Sequence, residues 1–341
     1  MQLARRIALL AGSVAAALAA APAFAQQKLD FILNWVPGGD HAPYYYAKKM
    51  GWYKDAGIDL NLEPGKGSAV AVQKVAAGAN PIGLADMANA LTLRGKGADT
   101  VGVFNVYANS PQGLYWLKSS GIKSVKDLAG KVVGVTAPGS STDFFLKYLL
   151  KKNGLDPTSA AVIGVGLGAT AVAAMEKGQI DAAVMLDPSV TVLQGSHPDL
   201  KILSDTRTQK DTLAVFGGEY PGGALYATAA WVGSHEKEVQ ALTNAIVSTL
   251  AWIHVHSPEE IMAKMPDEMV GKDKALYLAA LKNTIPMYSE TGKMDPKGAD
   301  AVLAVFSEGS PEVAKANIDV SKTFTNKFVD QVKKTTGMNA K

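Results

Sequence analysis

Aromatic and polar side chains gather just after several predicted strands of this 341-residue chain, and such side chains can hold a small ligand. The stretch "NWVPGGDHAPYYYAKKMGW" joins two Trp, three Tyr and a His to a Pro-Gly-Gly turn. Aromatic rings offer a large apolar contact area at little cost in entropy. We expect Trp35, His41 and Tyr44 to face a ligand. Tyr45 and Tyr46 are expected to pack in the core, because successive helix positions point about 100° apart.

A second candidate site lies in "TAPGSSTDFF", where a predicted strand ends at a Pro-Gly turn. Ser140, Ser141 and Thr142 then stand at the start of a predicted helix. Free backbone N–H groups and the positive end of the helix dipole would attract an anion or another polar group there. Ordinary N-capping by one Ser is the alternative interpretation, and the sequence leaves both open.

Two acids also follow predicted strands: Asp86 in "DMANA" and Asp187 in "MLDPS". In open α/β sheets ligands bind at this edge, although helix N-capping would explain either acid alone. Their position beside the aromatic loop and the Ser/Thr turn favours a shared cleft. Ser68 in "GKGSA" is a predicted N-cap and a further candidate. Met87 and Asn109 complete the predicted ligand-binding set.

Other patterns resemble known motifs only weakly. "GVGLGA" at 164–169 fits the dinucleotide fingerprint, with Asp187 about twenty residues on, but a tight strand-to-helix turn explains it better. His254 and His256 are two positions apart, so they do not share a helix face, and no further metal ligand lies nearby in sequence. The chain has no Cys, which excludes thiolate catalysis and Cys-ligated metals. We therefore expect no catalytic residue, no metal site and no cofactor.

The elements that must position these residues alternate between strands and helices. Hydrophobic residues make up 48% of the chain and charged residues 19%, which is typical of a globular protein with a substantial core. "LDFILNW", "IDLNLE", "PIGLAD", "TVGVFNVYA", "KVVGVTA", "AAVIGVG" and "IDAAVML" are predicted strands separated by helical patterns. This alternation predicts an α/β fold with parallel sheets.

The last third of the chain is predicted to be almost wholly helical. In "SHEKEVQALTNAIVSTLAWIHV" apolar residues recur at spacings of three and four, which indicates one buried helix stripe: Val239, Leu242, Ile246, Leu250 and Ile253.

The first 25 residues have the pattern of a secretory signal peptide. Arg5 and Arg6 precede an apolar run over 7–21, and Ala23 and Ala25 occupy the small-residue positions of a cleavage site. We expect cleavage after Ala25 and a periplasmic location. Without the two Arg, the chain carries 32 basic and 31 acidic residues, a balance that favours neither nucleic acid nor an anionic membrane as partner.

Three stretches carry a family resemblance: "LNWVPGGDHAPYYYAKKMGWYKDAGIDL", "SVKDLAGKVVGVTAPGSSTDFFLKYLL" and "GQIDAAVMLDP". The chain resembles, to about Phe328, the nitrate/sulfonate/taurine and thiamine-pyrimidine-precursor family of periplasmic solute-binding proteins. That resemblance implies a type II periplasmic binding protein with two α/β lobes and a ligand cleft between them. It places lobe one at 26–112 plus 226–341 and lobe two at 113–225, after the signal peptide at 1–25.

The same resemblance implies a function without an enzymatic step. A monomer would bind a small organic ligand and deliver it to the transmembrane subunits of an ABC permease. The aromatic loop favours a pyrimidine-like or other aromatic heterocycle, and an alkanesulfonate, taurine or a nitrate-type anion is the alternative. The family is also similar to enzymes that build the thiamine pyrimidine, but their Cys-rich iron-binding motif has no counterpart in this Cys-free chain.

Overall fold

The computed structural model describes residues 26–332, so the predicted signal peptide lies outside the described residues. Ten strands are present in this range: β1 (Gln27–Ile32), β2 (Ile58–Glu63), β3 (Ile82–Ala85), β4 (Thr100–Tyr107), β5 (Gly113–Trp116), β6 (Val132–Val135), β7 (Ala161–Gly164), β8 (Ala182–Met185), β9 (Lys201–Asp205) and β10 (Gly223–Thr228). They form two five-stranded sheets, with the orders β2-β1-β3-β10-β4 and β7-β6-β8-β5-β9. All strands of the second sheet come from one continuous part of the chain.

Sixteen α-helices lie in the described range: α1 (Ala42–Lys49), α2 (Trp52–Asp55), α3 (Ser68–Ala76), α4 (Met87–Gly95), α5 (Ser141–Lys152), α6 (Ala169–Glu176), α7 (Ser189–Ser196), α8 (Gln209–Phe216), α9 (Ala229–Ser234), α10 (Glu236–Ile253), α11 (Pro258–Ala263), α12 (Asp267–Val270), α13 (Lys274–Thr284), α14 (Pro296–Gly309), α15 (Pro311–Lys315) and α16 (Lys327–Asp330). Short 3-10 helices span Gly39–His41, Lys118–Ser120, Val125–Leu128, Ile285–Met287 and Val320–Lys322. No helix within 26–332 combines the length and apolar character needed to cross a bilayer.

The hydrophobic periodicity explains why these segments take their conformations. Ile58, Leu60 and Leu62 alternate with exposed polar residues along β2, as expected for a strand with one buried face. The predicted stripe of α10 is confirmed, since all five of its apolar residues are buried. Helix α1 carries Pro43 in its first turn, where the missing N–H has no intrahelical partner to lose.

The prediction of parallel sheets is wrong for part of each sheet. Strand β10 runs antiparallel to both β3 and β4, and β5 runs antiparallel to both β8 and β9. The remaining pairs are parallel. Apolar periodicity reports which face of a strand is buried but not its direction, so the sequence pattern could not reveal the mixed sheets.

Two connections carry the chain between the sheets, and they lie side by side. Residues 108–112 lead from β4 to β5, and residues 206–222 lead back from β9 to β10. The amide of Gly222 donates to the Tyr107 carbonyl at 3.0 Å, and Thr206 Oγ1 donates to the Ser110 carbonyl at 2.9 Å. A Cβ at Gly222 would lie 2.5 Å from the Asn109 carbonyl oxygen, so this close approach requires a Gly. The lobe boundaries given by the resemblance stay a prediction.

Candidate functional site

A cavity lies between loops that follow strands of the two sheets, and it encloses about 620 Å³ of space that is partly open to solvent. The first sheet supplies residues of the 34–40 loop and the start of α3. The second sheet supplies the ends of β6 and β8 and the turn before α6. The lining residues are Asn34, Trp35, Val36, Pro37, Gly38, Asp40, Gly67, Ser68, Thr136, Ser141, Leu167, Gly168, Leu186, Asp187 and Pro188.

Trp35 is placed where the two sheets' loops meet. A Cβ on Gly67 would lie 3.7 Å from one carbon of the indole ring, and a Cβ on Gly166 would lie 3.9 Å from another. Gly67 follows the first sheet's β2 and Gly166 follows the second sheet's β7, so the ring packs against both halves of the site. The indole N–H is buried without a hydrogen-bond partner among the described residues. Trp35 therefore combines an apolar face with an unpaired donor.

His41 does not face the cavity, contrary to the prediction. The ring is fully buried, and the Gly38 amide donates to its Nδ1 at 3.1 Å. Its Nε2 lies 2.8 Å from Asn34 Oδ1. The ring thus joins the beginning and the end of the loop that carries Trp35. It is a structural support for that loop, which explains why a His stands in this motif.

The prediction that Tyr44 faces a ligand is wrong for a similar reason. Its ring is fully buried in the core, with its centroid 5.3 Å from that of Phe31. Helix α1 begins at Ala42, and its rotation turns this position towards the first sheet. Tyr46 is buried as predicted and stacks on Trp252 at 4.2 Å between centroids. Tyr45 is partly buried and packs against the same core.

Ser68 lines the cavity, whereas Asp86 and Met87 lie beneath it. Ser68 is the first residue of α3 rather than its predicted N-cap, which is Gly67. Its Oγ accepts a hydrogen bond from the Asp86 amide at 3.4 Å. Asp86 is 2% exposed and caps α4 by accepting from the Ala88 amide, and burial raises its pKa to about 7. Met87 is buried in the core, so these two residues are not placed to contact a ligand.

The three hydroxyls at the start of α5 are not equivalent. Ser140 and Thr142 are buried and bond to one another at 2.9 Å, and each lies 2.8 Å from Thr136 Oγ1. Ser141 is the member of the predicted trio that lines the cavity, together with Thr136. Ser140 and Thr142 thus do not line the cavity, contrary to the prediction. Their hydroxyls already satisfy one another, and this network fixes the turn.

The start of α5 also has its own negative charge. Asp143 Oδ2 accepts from the Gly139 amide at 2.7 Å and pairs with Lys147 at 2.9 Å. A carboxylate in the first helical turn already interacts with the positive end of the dipole. The arrangement weakens the interpretation of this turn as an anion site.

Two carboxylates, Asp40 and Asp187, are the ionisable side chains in the described lining of the cavity. The Asp187 side chain is 8% exposed, and burial raises its pKa despite hydrogen bonds from Thr191 and the charge of Arg207. Arg207 Nη1 lies 3.5 Å from Asp187 Oδ2, while its Nε and Nη2 bond to Asp205. Arg207 lines a small adjacent cavity instead of the main one. The main cavity thus presents hydrogen-bond acceptors and negative charge to its contents.

Asn109 lies away from this cavity, contrary to the prediction. It belongs to the connection at 108–112, and its Nδ2 donates to the Pro286 carbonyl at 3.4 Å. It lines a separate cavity with residues of α8 and of the 286–296 segment. Its position indicates a role in the connection between the sheets.

Several lining residues escaped the sequence analysis. Asp40 stands in the same aromatic loop, and a second acid there was a signal that could have been used. Gly168 belongs to "GVGLGA", and its amide donates to Ser189 Oγ at 2.7 Å, which fits a strand-to-helix turn. His256 Nδ1 lies 2.8 Å from the Trp252 carbonyl, and no cluster of His, Asp and Glu suited to a metal ion occurs within 26–332.

Comparison with known proteins adds a family and a fold. Residues 39–261 match the family model described as "NMT1/THI5 like". A curated protein of Legionella pneumophila, named 4-amino-5-hydroxymethyl-2-methylpyrimidine phosphate synthase, is 31% identical over 146 residues, which are 42% of this chain and 45% of that protein. The chain thus matches less than half the length of this relative.

Two solved structures extend the likeness to most of the chain. A protein of Bordetella bronchiseptica RB50 is 34% identical, with a TM-score of 0.82 over 89% of this chain and 96% of that one. The alkanesulfonate-binding protein SsuA of Xanthomonas axonopodis pv. citri, solved with bound MOPS, is 17% identical, with a TM-score of 0.69 over 87% and 98% of the two chains. The fold is that of the periplasmic binding proteins, as the two mixed sheets with flanking helices indicate.

Proposed function

The chain belongs to the NMT1/THI5-like family, and from this membership we propose that it is the solute-binding component of an ABC importer, with a small nitrogen heterocycle as its ligand. In this proposal the ligand lies between the two sheets, against Trp35. A lobe formed by 26–112 plus 226–341 closes on a lobe formed by 113–225. The closed form, a monomer in the periplasm after removal of the signal peptide, then docks on the permease subunits.

One observation carries the choice of ligand: the cavity combines an indole with two carboxylates, and no Lys or Arg is found among its described lining residues. A flat heterocycle can stack on Trp35. Ring amino groups can donate to Asp40 and Asp187, and hydrogen bonds to a charged acceptor are the stronger kind. A ligand with N–H donors or a positive charge therefore fits this surface.

An alkanesulfonate or nitrate fits it less well. Such an anion would lie beside the carboxylates of Asp40 and Asp187, and like charges repel. The hydroxyls of Ser140 and Thr142 are engaged with Thr136, and Asp143 occupies the helix start. The structural likeness to a sulfonate-binding protein concerns the fold. The described cavity lining contains no Lys or Arg that could pair with a sulfonate.

The name of the Legionella relative makes a pyrimidine synthase the second candidate function. Against it, the described cavity lining contains no His or Lys, and the chain has no Cys. The lining offers hydroxyls, an amide, carboxylates and an indole. These groups can bind a ligand through hydrogen bonds and stacking, and none of them is an obvious nucleophile. Incubation with iron followed by intact-mass analysis tests this candidate. Stoichiometric iron together with a modified His or Lys would favour the enzyme.

The test of the transport proposal has two arms. Mass spectrometry of small molecules released from natively purified protein should identify a nitrogen heterocycle. Calorimetric titration should detect binding of 4-amino-5-hydroxymethyl-2-methylpyrimidine, the unphosphorylated form of the pyrimidine in the relative's name, and no binding of taurine. Tight binding of taurine with no response to the pyrimidine would overturn the assignment of the ligand.

A further inference from the structure

A chain of hydrogen bonds connects helix α13 to the cavity carboxylate of Asp187. Asn283 Nδ2, at the end of α13, donates to Thr191 Oγ1 at 3.2 Å. Thr191 Oγ1 donates in turn to Asp187 Oδ1, and the Thr191 amide donates to the same oxygen at 3.0 Å. Helix α13 follows the last strand of the first sheet, whereas Thr191 and Asp187 follow β8 of the second sheet. The chain of bonds therefore crosses from one half of the molecule to the other.

The hydroxyl of Thr191 is suited to this double contact. A hydroxyl has one hydrogen to donate and lone pairs that accept. When the hydrogen is directed at Asp187, a lone pair remains for the amide of Asn283, and each bond polarises the other. Neither Thr191 nor Asn283 is among the described residues that line the cavity. Both act on the site from behind Asp187.

The other oxygen of Asp187 is held less tightly. Arg207 Nη1 lies 3.5 Å from Oδ2, which is long for a hydrogen bond, because the guanidinium is committed to Asp205 through Nε and Nη2. One carboxylate oxygen is thus fixed by Thr191, and the other retains capacity for a further donor. Such an arrangement orients the carboxylate before a ligand arrives, which lowers the entropy lost on binding.

We propose that Thr191 and Asn283 are positioning residues for Asp187: Thr191 orients the carboxylate within its own half, and Asn283 completes this chain of hydrogen bonds only when the two halves of the molecule are closed. The inference rests on the proposed function for its ligand. Opening of the cleft separates α13 from α7 and removes the Asn283 bond. Closure then adds the Asn283 bond to the hydroxyl that orients the carboxylate, so ligand affinity and the closed population rise together.

Two variants and one control variant test this coupling. Thr191→Val keeps the branched shape and removes the hydroxyl, and Asn283→Ala removes the donor from the opposite half. Thr191→Ser keeps the hydroxyl and serves as the matched control. In solution scattering of ligand-free protein, Thr191→Val and Asn283→Ala should increase the radius of gyration relative to the parent, and Thr191→Ser should not. Titration with 4-amino-5-hydroxymethyl-2-methylpyrimidine should show at least about a tenfold loss of affinity for Thr191→Val and near-parental affinity for Thr191→Ser.

The two measurements separate failure of this inference from failure of the proposed function. Scattering is measured without ligand. It therefore tests whether the Asn283–Thr191 contact holds the two halves together, even if the pyrimidine does not bind the parent protein. If both variants, shown folded by thermal melts, scatter like the parent, the coupling is overturned. If Thr191→Ser is as impaired as Thr191→Val in both measurements, the side chain acts by packing, and the hydrogen-bond chain is also overturned.

Discussion

Asn34 Oδ1 lies 2.8 Å from His41 Nε2, so the first and last polar residues of the aromatic loop are bonded to each other. Two Tyr hydroxyls hold the same loop from the core: Tyr288 donates to the Gly39 carbonyl at 2.7 Å, and Tyr107 donates to the Asp40 carbonyl at 3.0 Å. Trp35 and Asp40 are therefore carried by a loop that is fixed at three points. A fixed loop can present an indole and a carboxylate in one geometry.

Truncation of Trp35 should harm binding far more than folding. Loss of stacking and of apolar contact should weaken binding of the pyrimidine by at least about tenfold in Trp35→Ala, since ~1.4 kcal/mol corresponds to one decade. The melting temperature without ligand should fall by only a few degrees. Trp231→Ala is the matched control, because Trp231 is also partly buried but stacks on His235 away from the cavity. Normal binding and a large loss of stability in Trp35→Ala would make the loop a structural element only.

Binding should weaken on acidification because of Asp187. Burial raises the pKa of this carboxyl, so it loses its charge at a higher pH than an ordinary Asp. Arg207, Asp205, Asp40 and Tyr115 face the same group and stay in place in the test. Asp187→Asn should reduce affinity at pH 8 by about tenfold or more, since hydrogen bonds to charged groups are worth ~1.5–3 kcal/mol.

The pH profile of Asp187→Asn provides the check on that prediction. In the parent, affinity should fall as the pH is lowered through the raised pKa. In the variant, the titration of this carboxyl is absent, and affinity should depend less on pH over the same range. Calorimetric titrations from pH 5 to pH 8 measure both curves. Identical curves for the two proteins would show that Asp187 does not contact the ligand.

Removal of the Tyr44 hydroxyl should not harm the protein. This hydroxyl is buried without a hydrogen-bond partner among the described residues, and an unpaired buried polar group is unfavourable. Tyr44→Phe should leave affinity unchanged and should keep or raise the melting temperature. Tyr288→Phe is the contrasting variant, because it removes the bond to Gly39 and should cost about 0.5–1.5 kcal/mol. A loss of affinity in Tyr44→Phe but not in Tyr288→Phe would indicate that the Tyr44 hydroxyl contacts the ligand.

Asp86 should make the protein less stable as the pH rises. Its folded-state pKa of about 7 exceeds the usual value of 3.8, so the folded state keeps the proton longer than the unfolded state. The free energy of unfolding should therefore fall between about pH 4 and pH 7 and lose no more above that range. Asp86→Asn retains an oxygen for the Ala88 amide and should be more stable than the parent at pH 8, by up to ~4 kcal/mol.

A second Asp gives the opposite sign and serves as the control for Asp86→Asn. The exposed Asp127 accepts from the Lys123 and Ser124 amides, which hold its pKa below the usual range. Its stabilising effect is present above the usual Asp pKa and is lost as the pH falls. Thermal melts at pH 2, below the usual Asp pKa, and at pH 8 should show Asp127→Asn losing stability mainly at pH 8. Equal shifts for Asp86→Asn at both pH values would contradict the buried charge.

The contact between the two connections should be sensitive to a single methyl group. In Gly222→Ala the Cβ would lie 2.5 Å from the Asn109 carbonyl oxygen and 2.7 Å from Ser110 Cα, and both are backbone atoms that cannot rotate away. We expect a loss of about 1–3 kcal/mol, typical of overpacking. Gly233→Ala is the control, since no atom from outside its own stretch of helix lies within 4 Å of the added Cβ. Denaturant unfolding of both variants measures the difference, and equal stabilities would show that the connections can separate freely.

Elements were easier to predict than the orientation of their side chains. The sequence located β2 and the stripe of α10 because their apolar spacing follows from burial of one face. It could not decide which of three consecutive Tyr faces inward, since that depends on where α1 begins relative to β1. Tyr44 was misplaced for this reason.

The polar residues of the site illustrate a second limit. Ser140, Ser141 and Thr142 are similar in type, but Thr136, in the same turn, bonds to two of them, and residue type alone does not reveal which two. Asp187 was predicted, while its partners Thr191, Arg207 and Asn283 come from three different segments. Residues that act together through tertiary contacts are invisible to a reading of one segment at a time.

The position of β10 between β3 and β4 has a consequence for synthesis of the protein. A chain leaves the ribosome from its N-terminus, so β4 is made well before β10, the one named strand with which it pairs. Every strand of the second sheet is made in the interval. A nascent chain interrupted anywhere in that interval exposes unpaired edges on β3 and β4, which invite association with other chains. Completion of the first sheet therefore requires the chain through residue 228.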